Sequence, residues 1–180
     1  QDRSHPLKMN RPVASGEVSV RLAAVTGSIL LVSGVAASAL IGPAFLLTGV
    51  LYLLLQAAYN AWLRKIVILD ILAIALGFVL RAFAGSVAIN VMISPWLILC
   101  TLLVALFLGF SKRRHEIVFL GRAATEHRRI LSEYSVAFLD QLIGIVTATT
   151  IVSYAIYTLT PEVTERLGSR YMVLTLPFVV

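Results

Sequence analysis

The chain has 180 residues, of which 59% are hydrophobic and 13% charged, with a formal net charge of +6 and mean hydropathy +0.91. A soluble domain carries about 25% charged and ~45–50% apolar residues, so this balance excludes an ordinary water-soluble globule and points to a polytopic membrane protein. The single cysteine, Cys100, lies in an apolar run, which excludes a disulfide framework and a cysteine–metal cluster.

The positive charge is read as a topology signal and an attraction to anionic lipid or substrate, not as a nucleic-acid signature. The chain opens on Gln1 rather than Met and is read as a piece of a longer protein. Its first segment, Asp2 to Pro12, is polar, and Pro6 and Pro12 bracket its Lys8–Arg11 stretch. Five predicted membrane helices follow, at residues 20–41, 43–63, 66–89, 95–110 and 136–159, each close to the ~20 apolar residues a span needs. The fourth is short. A sixth begins near Tyr171 and has ten residues before the sequence stops at Val180, too few to cross. The fold class expected is therefore all-α, a transmembrane helical bundle forming one domain over 1–180. Pro43 and Pro95 suit first-turn positions, where the missing N–H costs no helix bond, and Gly42-Pro43 marks a tight turn between antiparallel helices. Gly27, Gly34, Gly77, Gly85 and Gly144 are expected where helices approach closely.

Twelve of the 15 lysines and arginines precede or begin the first span, follow the second or follow the fourth. The positive-inside rule then places 1–19, 64–65 and 111–135 in the cytoplasm. Arg166 and Arg170 lie on the other side, and Arg81 lies within a span.

All three basic clusters are thus able to converge on one cytoplasmic-facing cavity. In the first, Lys8 and Arg11 are three residues apart and share a face if the segment turns helically. Lysine as a point charge and arginine as a planar fork are good phosphate binders. Asp2 is the one carboxylate of this block able to hold Mg²⁺, a hard cation that takes oxygen ligands and is often bound by substrate phosphates as well. The competing reading is a positive-inside flank with no substrate. The second cluster is Tyr59 to Lys65, followed by Asp70 one turn inside the third span. An aromatic and basic span end is often an interfacial anchor, but a carboxylate and an arginine (Arg81) inside a span must face protein or water. Arg81 has two open readings, a partner for a polar group or a contact to an anionic substrate. The third cluster is Ser111-Lys112-Arg113-Arg114-His115-Glu116. From Ile117 to Tyr134, apolar residues recur at helical spacing, predicting an amphipathic segment over the bundle, broken near Gly121. Its basic residues grip either headgroups or a soluble substrate. Asp140, near the start of the fifth span, is another costly carboxylate. No glycine-rich phosphate loop or His-Glu-x-x-His run is present, and His5, His115 and His127 are scattered.

Taken in order, the clusters resemble the UbiA superfamily of intramembrane prenyltransferases, and within it the decaprenyl-phosphate phosphoribosyltransferase branch. The resembling residues are Asp2-Arg3-x-His5-Pro6-x-Lys8-x-x-Arg11-Pro12-x-x-x-Gly16, similar to the tail of the first Asp-rich motif. Tyr59 to Asp70 and Leu80-Arg81-Ala82-x-x-Gly85 resemble the paired helices that follow. Lys112-Arg113-Arg114-x-Glu116 and Tyr134-Ser135-x-x-Phe138-Leu139-Asp140-Gln141 resemble the branch's second cytoplasmic motif. Ordinary members carry a second Asp-rich motif there; here one carboxylate stands among bases, which favours a basic phosphate pocket.

The resemblance implies transfer of 5-phosphoribose from phosphoribosyl pyrophosphate to a polyprenyl phosphate in the bacterial inner (plasma) membrane, for lipid-linked sugar or cell-wall synthesis. It implies Asp2 as the metal ligand for Mg²⁺, and Lys8, Arg11, Lys65, Arg81, Lys112 and Arg113 as phosphate-binding residues. Glu116 and Tyr134 are expected to position substrate beside the catalytic Asp2 and Lys8. The piece on its own is expected to be inactive. Two other functions are weighed: prenyl transfer from a prenyl diphosphate to an aromatic or other acceptor, and a non-catalytic transporter or scaffold subunit.

Overall fold

The computed structural model describes residues 11–120, 134–160 and 171–175. Every regular element among them is helical: α1 (Val20–Ile41), α2 (Pro43–Ala61), α3 (Leu69–Ala88), α4 (Pro95–Leu120) and α5 (Val136–Leu159), with short turns at Pro12–Ser15, Leu63–Lys65 and Tyr171–Thr175. All five long helices are long and apolar enough to cross a membrane. At 1.5 Å per residue even the shortest, with 19 residues, spans about 28 Å, close to the thickness of a hydrocarbon core. The all-α bundle read from the sequence is the observed fold class.

The chain divides into two compact units, Gln1–Val50 and Leu51–Val180, with the boundary inside α2. In the first unit, α1 starts where Ser19 accepts a hydrogen bond from the Leu22 N–H at 3.2 Å. None of its residues is buried. Its hydroxyls bond back to its own carbonyls, Thr26 to Leu22 at 2.8 Å and Ser38 to Gly34 at 2.8 Å. That satisfies polar groups internally, as a membrane-spanning helix requires. Gly42 alone links α1 to α2, with φ 151°, a conformation that a side chain would resist. The chain folds back there and brings Gly49 beside Ser38.

The second unit holds the core, in which Ile71 of α3, Leu103 and Phe110 of α4, Tyr134, and Leu139 and Val146 of α5 form one buried apolar cluster. A Cβ placed on Gly109 would meet Ile71 Cγ2 at 2.5 Å, so a side chain of any size there pushes α3 and α4 apart. Gly77 comes within ordinary contact of Tyr52, whereas Gly27, Gly34, Gly85 and Gly144 face open space among the described residues. Close packing is therefore concentrated at Gly109, which the sequence did not distinguish.

The fourth helix differs most from expectation. It does not stop at Phe110 but runs 26 residues to Leu120, about 39 Å. The drop in hydropathy after Phe110 marks a change of surroundings, not of backbone, because no glycine or proline occurs between Gly109 and Gly121. The first part of the expected amphipathic segment is thus the continuation of α4; residues 121–133 lie outside the described residues, as do 1–10, 161–170 and 176–180. Of the expected sixth span, only the turn Tyr171–Thr175 is described; the Thr175 hydroxyl lies 2.7 Å from the Tyr154 hydroxyl.

Candidate functional site

The site grows from an irregular approach to α3. After the turn Leu63–Lys65 the backbone reverses at Ile68, whose φ is 69° and ψ −44°, and the Leu69 N–H donates to the Val67 carbonyl at 2.8 Å. A γ-turn with positive φ is strained, and the more so for a β-branched residue. Its effect is to aim the Ile68 N–H at the Tyr134 hydroxyl, 2.6 Å away, and to set Asp70 in the first turn of α3.

Asp70 is fully buried, yet both of its oxygens are partnered. The Tyr134 hydroxyl donates to Oδ1 at 2.8 Å, and Arg113 Nε donates to Oδ2 at 2.9 Å. Arg113, also buried, extends the network outward by donating from Nη1 to Glu116 Oε2 at 2.7 Å. Three charged groups and a phenol from three parts of the chain thus interlock. A buried charge is tolerated only with such pairing, and no buried side-chain polar atom among the described residues lacks a partner. Burial pushes the Tyr134 phenol up from its ordinary value, and the carboxylate of Asp70 adds to the effect, so the tyrosine stays a neutral donor.

Adjacent residues on α4 behave oppositely. One residue further is 100° around the helix, and Arg114 faces outward to an exposed pair with Asp140 of α5, its Nη2 3.4 Å from Oδ2. Phe107, Ser111, Arg114, His115, Asp140 and Ile143 line an open groove of about 460 Å³ there. His115 stacks on Phe119 with ring centres 5.8 Å apart.

The structure brings together three of the residues expected to form the site: Arg113, Glu116 and Tyr134. Arg113 was expected to face phosphate; its guanidinium faces Asp70 and Glu116 instead. Tyr134 was expected to position substrate; its hydroxyl is engaged within the protein. Lys112 is exposed on α4 beside Arg113, and Lys65 is exposed five residues before Asp70, so both flank the network in sequence. Arg81 is not part of it. It lies eleven residues beyond Asp70 on α3, about 16 Å along the axis, and donates to the Tyr52 hydroxyl, with its guanidinium carbon 5.0 Å from the Tyr52 ring centre and 5.5 Å from that of Phe78. Tyr52 also accepts from Gln56 Nε2 at 3.0 Å. Arg11, exposed, precedes the turn Pro12–Ser15 in the first unit. Asp2 and Lys8 lie outside the described residues.

The hub that sequence reasoning left out of the site is Asp70. Its signal was the cost of a carboxylate inside an apolar span, but nothing local named Arg113 or Tyr134 as its partners. Nothing in the sequence pointed to Tyr52 as the partner of Arg81.

The described residues do not by themselves build a Mg²⁺ site. No three His, Cys, Asp or Glu side chains among them come together, and both Asp70 oxygens are taken.

A family model described as the UbiA prenyltransferase family matches residues 1–113. A decaprenyl-phosphate phosphoribosyltransferase of Corynebacterium glutamicum is 30% identical over 191 residues, which covers 99% of this chain and 55% of the relative. Proteins of the same name from Mycobacterium tuberculosis (30% over 179 residues) and Mycolicibacterium smegmatis (27% over 186 residues) also match 99% of this chain, and 59% and 58% of their own lengths. The chain therefore spans little more than half the length of these relatives.

Proposed function

The chain belongs to the UbiA prenyltransferase family, and from that premise we propose that the full-length protein transfers 5-phosphoribose from phosphoribosyl pyrophosphate to a polyprenyl phosphate. The acceptor's chain length would be that of decaprenyl, by analogy with the relatives' names. A phosphate oxygen of the acceptor attacks the anomeric carbon of the ribose, the bond from that carbon to the pyrophosphate oxygen breaks, and pyrophosphate leaves with the electron pair. The nucleophile is already anionic, so no strong base is needed. The protein's task is to hold the two reactants in line and to neutralise charge that grows on the leaving group.

One observation carries this choice over prenyl transfer. In the basic stretch 111–116 the lone carboxylate, Glu116, is ion-paired to the buried Arg113 while Lys112 is exposed, so this end of α4 presents a lysine rather than a second acidic metal site. Lys8, Arg11, Lys65 and Lys112 are assigned to the donor's phosphates. Arg113 is assigned to holding Asp70 and Glu116. Mg²⁺ belongs to the proposal with Asp2, as the hard cation that accompanies a pyrophosphate. A cytoplasmic site facing a water-soluble donor follows from the positive-inside reading.

The test is transfer of labelled phosphoribose to polyprenyl phosphate in membranes that contain the full-length protein. Product that depends on both substrates supports the proposal. No such product, alongside activity with a prenyl diphosphate and an aromatic acceptor, overturns it in favour of prenyl transfer.

A further inference from the structure

We infer that Glu116 is a specificity-determining residue that accepts hydrogen bonds from the ribose hydroxyls of the donor, an inference that rests on the phosphoribosyl transfer proposed above. The Asp70–Arg113–Glu116 chain has a gradient of exposure. The Asp70 side chain is 0% exposed, that of Arg113 3% and that of Glu116 27%. Glu116 is therefore the end of the network that a ligand reaches. It is also the end that is fixed. Oε2 is held at 2.7 Å by Arg113, which is itself held at 2.9 Å by Asp70, and the i, i+3 spacing keeps both side chains on one face of α4. Among the described residues Arg113 Nη1 bonds Glu116 at Oε2, and Oε1 is the oxygen assigned to the ligand.

The chemistry of that oxygen selects its ligand. A carboxylate is an acceptor only, and it repels phosphate. Beside a phosphorylated donor held by Lys65 and Lys112, the groups that it attracts are a cation or a neutral hydroxyl. Vicinal hydroxyls on the pentose are such neutral donors, and a prenyl diphosphate has none. A polar group fixed for a substrate hydroxyl discriminates strongly against an analogue that lacks it, because the polar group is then left desolvated and unpaired. Asp70 and Arg113 are positioning residues in this scheme; Glu116 touches the substrate.

The experiment is a cycle between enzyme and substrate, made with the full-length protein in membranes. Phosphoribosyl pyrophosphate and its 2-deoxy and 3-deoxy counterparts are compared as donors for the wild type, Glu116→Gln and Glu116→Ala. Removal of a charged hydrogen-bond partner is expected to lower kcat/KM for the ribosyl donor by roughly 10–100-fold in Glu116→Ala, while at least one deoxy donor changes by less than about threefold. Glu116→Gln, which keeps an acceptor oxygen, should fall between. A fraction of misfolded enzyme lowers all donors alike and cancels in the ratio. Equal losses on all three donors therefore overturn the inference, even where phosphoribosyl transfer is intact. A wild type that transfers no phosphoribose overturns the proposed function, and the inference with it.

Discussion

Arg113 Nε and Asp70 Oδ2 lie 2.9 Å apart, joining two side chains that are 3% and 0% exposed and 43 residues apart in sequence. The pair ties α3 to α4. A buried ion pair adds little over apolar side chains of the same size, but the loss of one partner strands the other charge. Arg113→Met is therefore expected to destabilise the protein by about 3–5 kcal/mol, and Asp70→Asn to a comparable extent. The double variant should be more stable than the sum of the two losses predicts, by at least ~1 kcal/mol. Unfolding of the full-length protein in mixed micelles measures this; strictly additive losses would show that the pair is not coupled.

Tyr134 is the second anchor of the same carboxylate. Tyr134→Phe removes the donor to Asp70 Oδ1 and the acceptor of the Ile68 N–H, and is expected to cost about 1–3 kcal/mol. The raised pKa of the folded state fixes the sign of the pH dependence. The neutral phenol's contribution is fully present below the unfolded-state value of about 10 and is lost as pH rises through the higher folded value. The tyrosinate difference spectrum between wild type and Tyr134→Phe should thus show no ionisation near pH ~10. A normal titration of Tyr134 there would contradict the buried network.

Gly109 sets how near α3 comes to α4. Gly109→Ala places a methyl 2.5 Å from Ile71 Cγ2, one residue from Asp70, and overpacking of this kind costs about 1–3 kcal/mol. Ile71→Leu, which removes the branched methyl and keeps the volume, should restore part of the loss in the double variant. The thermal midpoint of each form decides the matter; an alanine that is neutral alone would mean that the helices are looser than described.

Lys112 is exposed next to the buried Arg113, so the charge-neutralising role proposed for it is separable from stability. Lys112→Ala and Lys8→Ala are expected to lower phosphoribosyl transfer at least ~10-fold, equivalent to ~1.4 kcal/mol of transition-state stabilisation, with little change in unfolding. Arg166→Ala should leave transfer near the wild-type rate. Equal effects at all three positions would refute a cavity built on one side of the membrane.

Sequence alone determined the class and layout of this protein. Hydropathy settles where helices run because a membrane span is a local property: ~20 apolar residues with internally satisfied backbone form one whatever their neighbours. The expected helices at 20–41 and 136–159 are observed with those bounds. The same local rule failed at the end of the fourth helix, because hydropathy reports the surrounding medium while helix termination depends on glycine, proline and caps. Asp70 was legible as a costly carboxylate, but not its answer. Lys112, Arg113 and Arg114 read as one basic cluster, yet the tertiary structure gives each a different environment: exposed, buried against Asp70, and paired at the surface with Asp140. That sorting depends on the rotation of α4 about its axis and its approach to α3 at Gly109, quantities fixed by packing between segments far apart in sequence. Only the fold could turn an arginine read as a phosphate ligand into the tie that holds Asp70 and Glu116.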